Sequence, residues 1–418
     1  MFTFTGEDPT QLHYHAFMTL LNTGDECAPR GKRIKELRPA CFEFQNPYNR
    51  VTFLGSRRIN PFFQVAEALW ILSGRSDVEW LCKFNANMRQ FSDDGVYFNA
   101  PYGERLRTYG KNSAHNVIFN PVDQFVDVYN KLINDKDTRQ AVMVISCPHF
   151  DNSKYTIGEK GRDVACNLVI TFKIRHNKLN MTVFNRSNDL IYGTFGANLN
   201  QFSTIQEMML SWLKNSGVEG FEDLEIGTYC QITDSLHLYL DDYGSKCNQD
   251  IIDYYTAHPD DTACVDFRSN HEPRMKQSQE QFDHMLDYYW KYIDPLMMED
   301  DLLESNEGLQ LVTLINDMTE NGVIDEYWSF VFKAMLCYRL VKLDKMGSAL
   351  EVLSTLQNCS WKVSMTYFLK HFINKLKDTE QYSELVSKYE EISDSLVKSL
   401  ANVEYTKKLQ DYLKLDQD

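Results

Sequence analysis

Hydrophobic and polar positions change their period part-way along the chain. In the earlier part, Gln140–Ser146 (QAVMVIS), Asn167–Ile174 (NLVITFKI) and Leu179–Phe184 (LNMTVF) read as strands set among helical stretches. They are short and rich in β-branched and aromatic residues, which suit a pleated, half-buried surface. His176-Asn177-Lys178, between the last two, predicts a hairpin turn. From about residue 244 onward almost everything carries a helical period. Leu336, Leu340, Leu343 and Met346 follow a three-to-four-residue spacing, and Tyr367, Leu369, Phe372 and Leu376 do so less strictly. Polar breaks at Asn321-Gly322 and Asn358 predict successive helical hairpins, without a fixed-period repeat. The polar stretch Cys247–Lys276, which holds His258-Pro259-Asp260-Asp261, reads as a linker or surface excursion. The pattern predicts an α+β domain over 1–243, a linker over 244–276 and an all-α domain over 277–418.

Composition narrows the functional classes. The 418 residues are 43% hydrophobic and 24% charged, enough to bury substantial cores and to exclude disorder as the dominant state. A net charge of −16 argues against broad nucleic-acid binding, which depends on a basic surface. It still allows a small anionic substrate in one local basic pocket. The acidity is concentrated late: Ser245–Asp418 holds 18 Lys plus Arg against 31 Asp plus Glu, and the preceding residues hold 25 against 28. Met1–Leu20 carries Glu7 and Asp8 without a basic start or an apolar core, and no apolar run is long enough to span a membrane. The ten cysteines lie at least 14 residues apart, so no metal-binding pair is expected. These features predict free thiols in a cytoplasmic protein with no metal and no membrane partner.

The densest chemistry lies between Asp163 and Phe202. Cys166 heads a strand after a loop containing Gly158, Gly161, Arg162 and Asp163. A thiol so placed can face a pocket, and a nearby cation is expected to lower its pKa towards the reactive thiolate. Asn185-Arg186-Ser187-Asn188-Asp189 gathers a guanidinium, a hydroxyl, amides and a carboxylate, and Arg beside Ser suits a phosphate. Gly193 and Gly196 permit close backbone approach before Asn198, whose amide both donates and accepts. Taken singly, a lone cysteine is usually a buried apolar residue and such a polar cluster a capped turn. It is their order that raises the functional reading.

That order resembles the thymidylate synthase family, particularly its phage relatives that hydroxymethylate pyrimidine nucleotides. The matching positions are Cys166, Arg186-Ser187-Asn188-Asp189, Gly193 and Asn198. Glu67-Ala68-Leu69-Trp70, Asn99-Ala100-Pro101-Tyr102-Gly103, Asp137-Thr138-Arg139-Gln140, Pro29-Arg30-Gly31 and Asp234-Ser235-Leu236-His237-Leu238-Tyr239 match further segments, over roughly residues 15–243. The resemblance implies a mixed sheet with surrounding helices and a homodimer. Cys166 would be the nucleophile, with Glu67 and Tyr102 in proton transfer. Arg186, Ser187, Arg30 and a neighbouring subunit's Arg139 would hold the nucleotide phosphate. His237 and Tyr239 would hold the sugar, Asn198 the base, and Asp189 the folate ring. The one-carbon donor would be 5,10-methylenetetrahydrofolate. Three departures favour water over hydride as the terminating nucleophile: Asn167 follows Cys166 where synthases have His, Asn87–Gly95 contains no tryptophan, and acidic helices replace the synthase C-terminal tail. Asn198 favours dUMP, although it stands one residue further from Gly193 than the family spacing. Thymidylate synthase, a dCMP hydroxymethylase and a non-catalytic nucleotide-binding relative are the alternatives. The acidic helices read as an appendage that supports an oligomer or offers a surface to a protein partner.

Overall fold

The computed structural model describes residues 1–53, 59–151, 163–241, 243–257, 272–304, 307–400 and 406–415. Twelve strands occur among them: β1 (Phe2–Gly6), β2 (Asp25–Cys27), β3 (Ile34–Leu37), β4 (Ala40–Phe44), β5 (Tyr109–Asn112), β6 (Val117–Val122), β7 (Val142–Val144), β8 (Asn167–Arg175), β9 (Lys178–Asn185), β10 (Asn188–Asp189), β11 (Glu225–Thr233) and β12 (Leu236–Tyr239). The expected hairpin is β8–β9, and His176 and Asn177 have φ of 52° and 57°, the left-handed pair that a two-residue turn needs. A six-stranded mixed sheet runs β1-β4-β11-β9-β8-β7, a four-stranded sheet runs β10-β12-β3-β2, and β5–β6 forms a separate hairpin. The sequence-predicted strand at Gln140–Ser146 shortens to β7.

A helix over Leu199–Lys214, buried from Leu199 to Leu213, supports the large sheet. Several of its polar residues are paired through side chains, as burial favours. Gln206 Nε2 donates to the carbonyls of Leu179 and Thr228 at 2.8 and 3.2 Å, beside a register shift in β11 between Ile226 and Tyr229. Glu207 meets Arg50 at 2.6 Å, and Arg50 also donates to Thr204 at 3.1 Å. Removing one partner of such a buried pair typically costs about 3–5 kcal/mol. The pair therefore anchors the helix that carries part of the site.

The chain divides into two compact units, Met1–Thr52 with Glu67–Ala263 and Phe53–Ala66 with Cys264–Asp418. Structure in the first continues past the expected boundary at 243, because Tyr243–Ala257 is a helix rather than a linker. Ile251 and Tyr255 on it are buried, and the Tyr255 hydroxyl lies 3.3 Å from His13 Nδ1 on the helix Pro9–Thr23. His258-Pro259-Asp260-Asp261 lies outside the described residues.

The second unit is helical, and it takes in an early segment absent from the predicted 277–418 domain. Phe62 stacks on Tyr338 with centroids 5.2 Å apart. Breaks fall at Asn321-Gly322 and at Asn358, as the pattern predicts. The series Leu336 to Met346 is not one helix: Glu326–Lys342 ends before Asp344, whose φ is 57°, and Met346–Ser354 begins anew. Buried Lys362 closes the end of that second helix, donating to the carbonyls of Ser354 and Leu356 and to Asn358 Oδ1 at 3.1, 2.7 and 2.9 Å. Burial pushes its ammonium down to about 8. No described helix is long and apolar enough to cross a membrane.

Candidate active site

Cys166 stands immediately before β8, where the strand is irregular. From Val169 to Arg175 the hairpin keeps an even register, but a bulge between Asn167 and Val169 brings Asn167 opposite Asn185. Bulges re-aim a side chain without ending the ladder. Here both asparagines turn into the protein and are buried. The next residue, Arg186, folds back over Cys166. Its Nε donates to the Ala165 carbonyl at 2.9 Å, and its Nη2 to the Val164 carbonyl at 3.0 Å and to Cys166 Sγ at 3.5 Å. Two backbone carbonyls thus hold the guanidinium beside the sulfur while its head remains exposed. Burial pushes the thiol above its ordinary value. Arg186 and Arg30 pull it down, Asp163 pushes it up, and burial prevails. The sequence expectation of a lowered thiol pKa is therefore reversed in the free protein.

Leu190–Asn198 forms a π-helix that runs directly into Leu199–Lys214. A π turn closes i→i+5 and so accommodates one residue more than an α turn. Gly193 and Asn198 both lie within that wider turn. Asn198, not Ala197, carries the amide that reaches β8: its Oδ1 accepts from Asn167 Nδ2 at 3.1 Å, and its Nδ2 donates to Asn188 Oδ1 at 3.1 Å. Asp189 starts this helix, with Oδ1 accepting from the Ile191 and Tyr192 amides at 2.6 and 2.7 Å. One oxygen of the predicted folate ligand is therefore a helix cap.

Glu67 is tied to the same helix, because Gln201 Nε2 donates to its Oε2 at 2.7 Å. It keeps a small accessible surface but is otherwise enclosed, and burial pushes its carboxyl up to about 7 against the lowering effect of Gln201. Burial also raises Tyr102; the charge of Cys166 adds to this, and hydrogen bonds from the side chain and backbone of Asn167 oppose it. Asp163 is a second enclosed carboxyl, pushed up to about 6 by burial although it accepts from the Ala100 amide at 2.8 Å. It acts electrostatically on both Cys166 and Tyr102. Gln201 had no functional signal in the sequence. Asp163 entered only as part of the loop before Cys166, an acid three residues ahead of it beside the apolar Val164-Ala165.

Arg30 sits in the left-handed region at φ 53° and ψ 29°, exposed, and its charge reaches Cys166 and Tyr239. A non-glycine residue held there is uncommon and clusters at functional sites. Tyr239 also experiences Asp189 and Cys166, and its ring packs edge-on against His237 at 5.3 Å. His237 is buried and pairs with Asp189 across β12 and β10. Ser187 is half-buried between Arg186 and Asn188. The structure thus gathers Cys166, Arg186, Tyr102, Asn198, Arg30, Tyr239 and Asp189, with Glu67 joined through Gln201. Arg139 is the exception: it stands exposed in the loop before β7, and no interaction among the described residues ties it to this cluster.

The thymidylate synthase family model matches residues 13–283. The chain belongs to the thymidylate synthase family. Over 409 residues it is 44% identical to a deoxyuridylate hydroxymethyltransferase of Bacillus phage SP01, a match covering 97% of this chain and all of that protein. A deoxyuridylate hydroxymethyltransferase of Pseudomonas phage M6 is 36% identical over 202 residues, 48% of this chain and 51% of that one. A thymidylate synthase of Corynebacterium aurimucosum is 24% identical over 214 residues, 50% and 73% respectively. Within the thymidylate synthase family, the near-full-length similarity lies on the phage hydroxymethylase side and extends through the helical unit.

Proposed function

We propose that this chain is a cytoplasmic deoxyuridylate hydroxymethylase. It joins dUMP, 5,10-methylenetetrahydrofolate and water to form 5-hydroxymethyl-dUMP and tetrahydrofolate. The observation that carries this reading is the 44% identity to a phage deoxyuridylate hydroxymethyltransferase over 97% of the chain and the whole of the relative.

The residues support each step. Cys166 Sγ adds to C6 of the uracil and makes C5 nucleophilic, so covalent catalysis divides one difficult step into feasible ones. Methylenetetrahydrofolate supplies the one-carbon unit. Arg186, Ser187 and Arg30 hold the 5′-phosphate, while His237 and Tyr239 hold the sugar. Asn198 reads the base edge, and the Asp189 oxygen not engaged in capping holds the folate ring. Glu67 and Tyr102 move protons to and from the pyrimidine. Release of tetrahydrofolate leaves an exocyclic methylene on C5, to which water adds. The resulting enolate expels the Cys166 thiolate from C6, which restores the C5–C6 double bond and frees both enzyme and product. The Asn87–Gly95 stretch supports water, since Phe91 is 53% exposed and no indole is available there as a shield.

The active form in this reading is a homodimer. The outer face of the large sheet carries cross-strand rows Val142-Thr171-Thr182-Cys230 and Val144-Val169-Phe184-Ile232, all at least partly exposed. Pairing through that face would give Arg139 its expected task at a neighbouring phosphate.

Incubation of dUMP and, separately, dCMP with methylenetetrahydrofolate in oxygen-18 water tests the reading. Mass spectrometry is expected to find a hydroxymethyl group carrying the heavy isotope on dUMP. A methyl product with dihydrofolate would make the protein a synthase. A second prediction concerns Arg186→Ala, which is expected to weaken dUMP binding about 10–100-fold through loss of charge-assisted phosphate contacts. Deoxyuridine binding should stay nearly unchanged in a parallel titration; an equal loss for the nucleoside would remove Arg186 from the phosphate site.

A further inference from the structure

Four buried asparagines form a continuous chain beside the nucleophile. Asn185 Nδ2 donates to Asn167 Oδ1, Asn167 Nδ2 to Asn198 Oδ1 at 3.1 Å, and Asn198 Nδ2 to Asn188 Oδ1 at 3.1 Å. Gly193 makes room for the last link, because a Cβ there would meet Asn188 Oδ1 at 2.3 Å. We infer that Asn185, Asn167 and Asn188 are positioning residues that hold the amide of Asn198 in one orientation and thereby select uracil over cytosine.

The argument rests on the directionality of an amide. Uracil offers an acceptor at O4 and a donor at N3, whereas cytosine offers a donor at N4 and an acceptor at N3. An asparagine can serve either base simply by turning its amide over. Asn198 cannot turn alone. Reversal would set its N–H against the N–H of Asn167 and its oxygen against the oxygen of Asn188. All four amides would have to reverse together. The ends of the chain are not pinned: Asn185 Oδ1 and Asn188 Nδ2 are buried without a partner among the described residues. A residue able only to accept, placed at either end, therefore dictates the direction of the whole relay.

This inference rests on the dUMP reading and deepens it. Asn185→Asp can only accept, so Asn167 must turn to donate to it, and Asn198 must turn in response. Asn188→Asp accepts from Asn198 as the wild-type residue does and preserves the direction. Both substitutions add one buried carboxylate near Asn198 but have opposite expected outcomes. Titration calorimetry of dUMP and dCMP, without folate, on the full-length proteins at pH 8 distinguishes them. Asn185→Asp should lower the preference for dUMP over dCMP by about 10-fold or more, the scale of a mispaired buried polar group, while Asn188→Asp retains it. Asn167→Asp should act like Asn185→Asp and replaces it as the test if that variant does not fold. Equal shifts in the two end variants, or none in either, would overturn the relay while leaving the dUMP reading intact. A wild-type protein without a preference for dUMP would instead overturn the reading on which the relay rests.

Discussion

Cys166→Ala is expected to yield no hydroxymethylated dUMP, a loss of about 10⁴-fold or more, comparable with removal of other enzymic nucleophiles. The nucleotide should still bind. Arg186 takes its position mainly from the carbonyls of Val164 and Ala165, at 3.0 and 2.9 Å, and only secondarily from the sulfur at 3.5 Å. Removing the sulfur therefore leaves Arg186, the proposed phosphate anchor, in place. Titration of dUMP beside a single-turnover assay separates the two quantities. Product at more than a trace would remove Cys166 as nucleophile, and lost binding would make it a structural residue. The wild-type thiol, raised by burial, should alkylate slowly at neutral pH and faster as pH rises. Arg186→Ala should slow that reaction further, since the leading cation that lowers the thiol pKa is gone.

The sequence made the main architecture legible because it repeats. A two-residue period marks β8 and β9, and a 3.6-residue period marks the late helices. Cys166, Arg186, Asp189 and Tyr239 were legible as ordered motifs, and the structure gathers them. Most of what remained hidden depends on single-residue irregularities. The bulge before Val169 turns Asn167 inward to face Asn185, and the π turn brings Asn198 rather than Ala197 to Asn167. Neither is visible to an analysis that assumes constant period. Asp344 likewise interrupts an apparently continuous helical series by adopting φ 57°. The grouping of Phe53–Ala66 with helices hundreds of residues away is a property of tertiary packing, as in the stack of Phe62 on Tyr338. The sign of the Cys166 shift required knowing that burial outweighs two arginines.

Glu67→Gln should separate catalysis from stability. The carboxyl titrates at about 7, so near neutral pH the protein holds both the acid and the base form, as a proton-transfer residue requires. The neutral amide keeps the hydrogen bond from Gln201 but moves no proton. Turnover should fall about 10²–10⁴-fold, and any limb of the pH–rate profile near 7 should vanish with it. Stability should move the other way. A carboxyl raised above its unfolded value of about 4.5 favours the fold fully below that value and loses the contribution as pH rises through about 7. Ionised Glu67 therefore destabilises the wild type above pH 7, by up to about 3 kcal/mol. The variant is neutral throughout and escapes that loss. Its denaturant midpoint should exceed the wild type's at pH 8, and the two should converge near pH 4.5. A variant less stable than wild type at pH 8 would contradict the raised carboxyl; full activity with raised stability would leave the carboxyl in place and remove its catalytic role. A less active, more stable variant is the joint result expected of a group buried for its chemistry rather than for the fold.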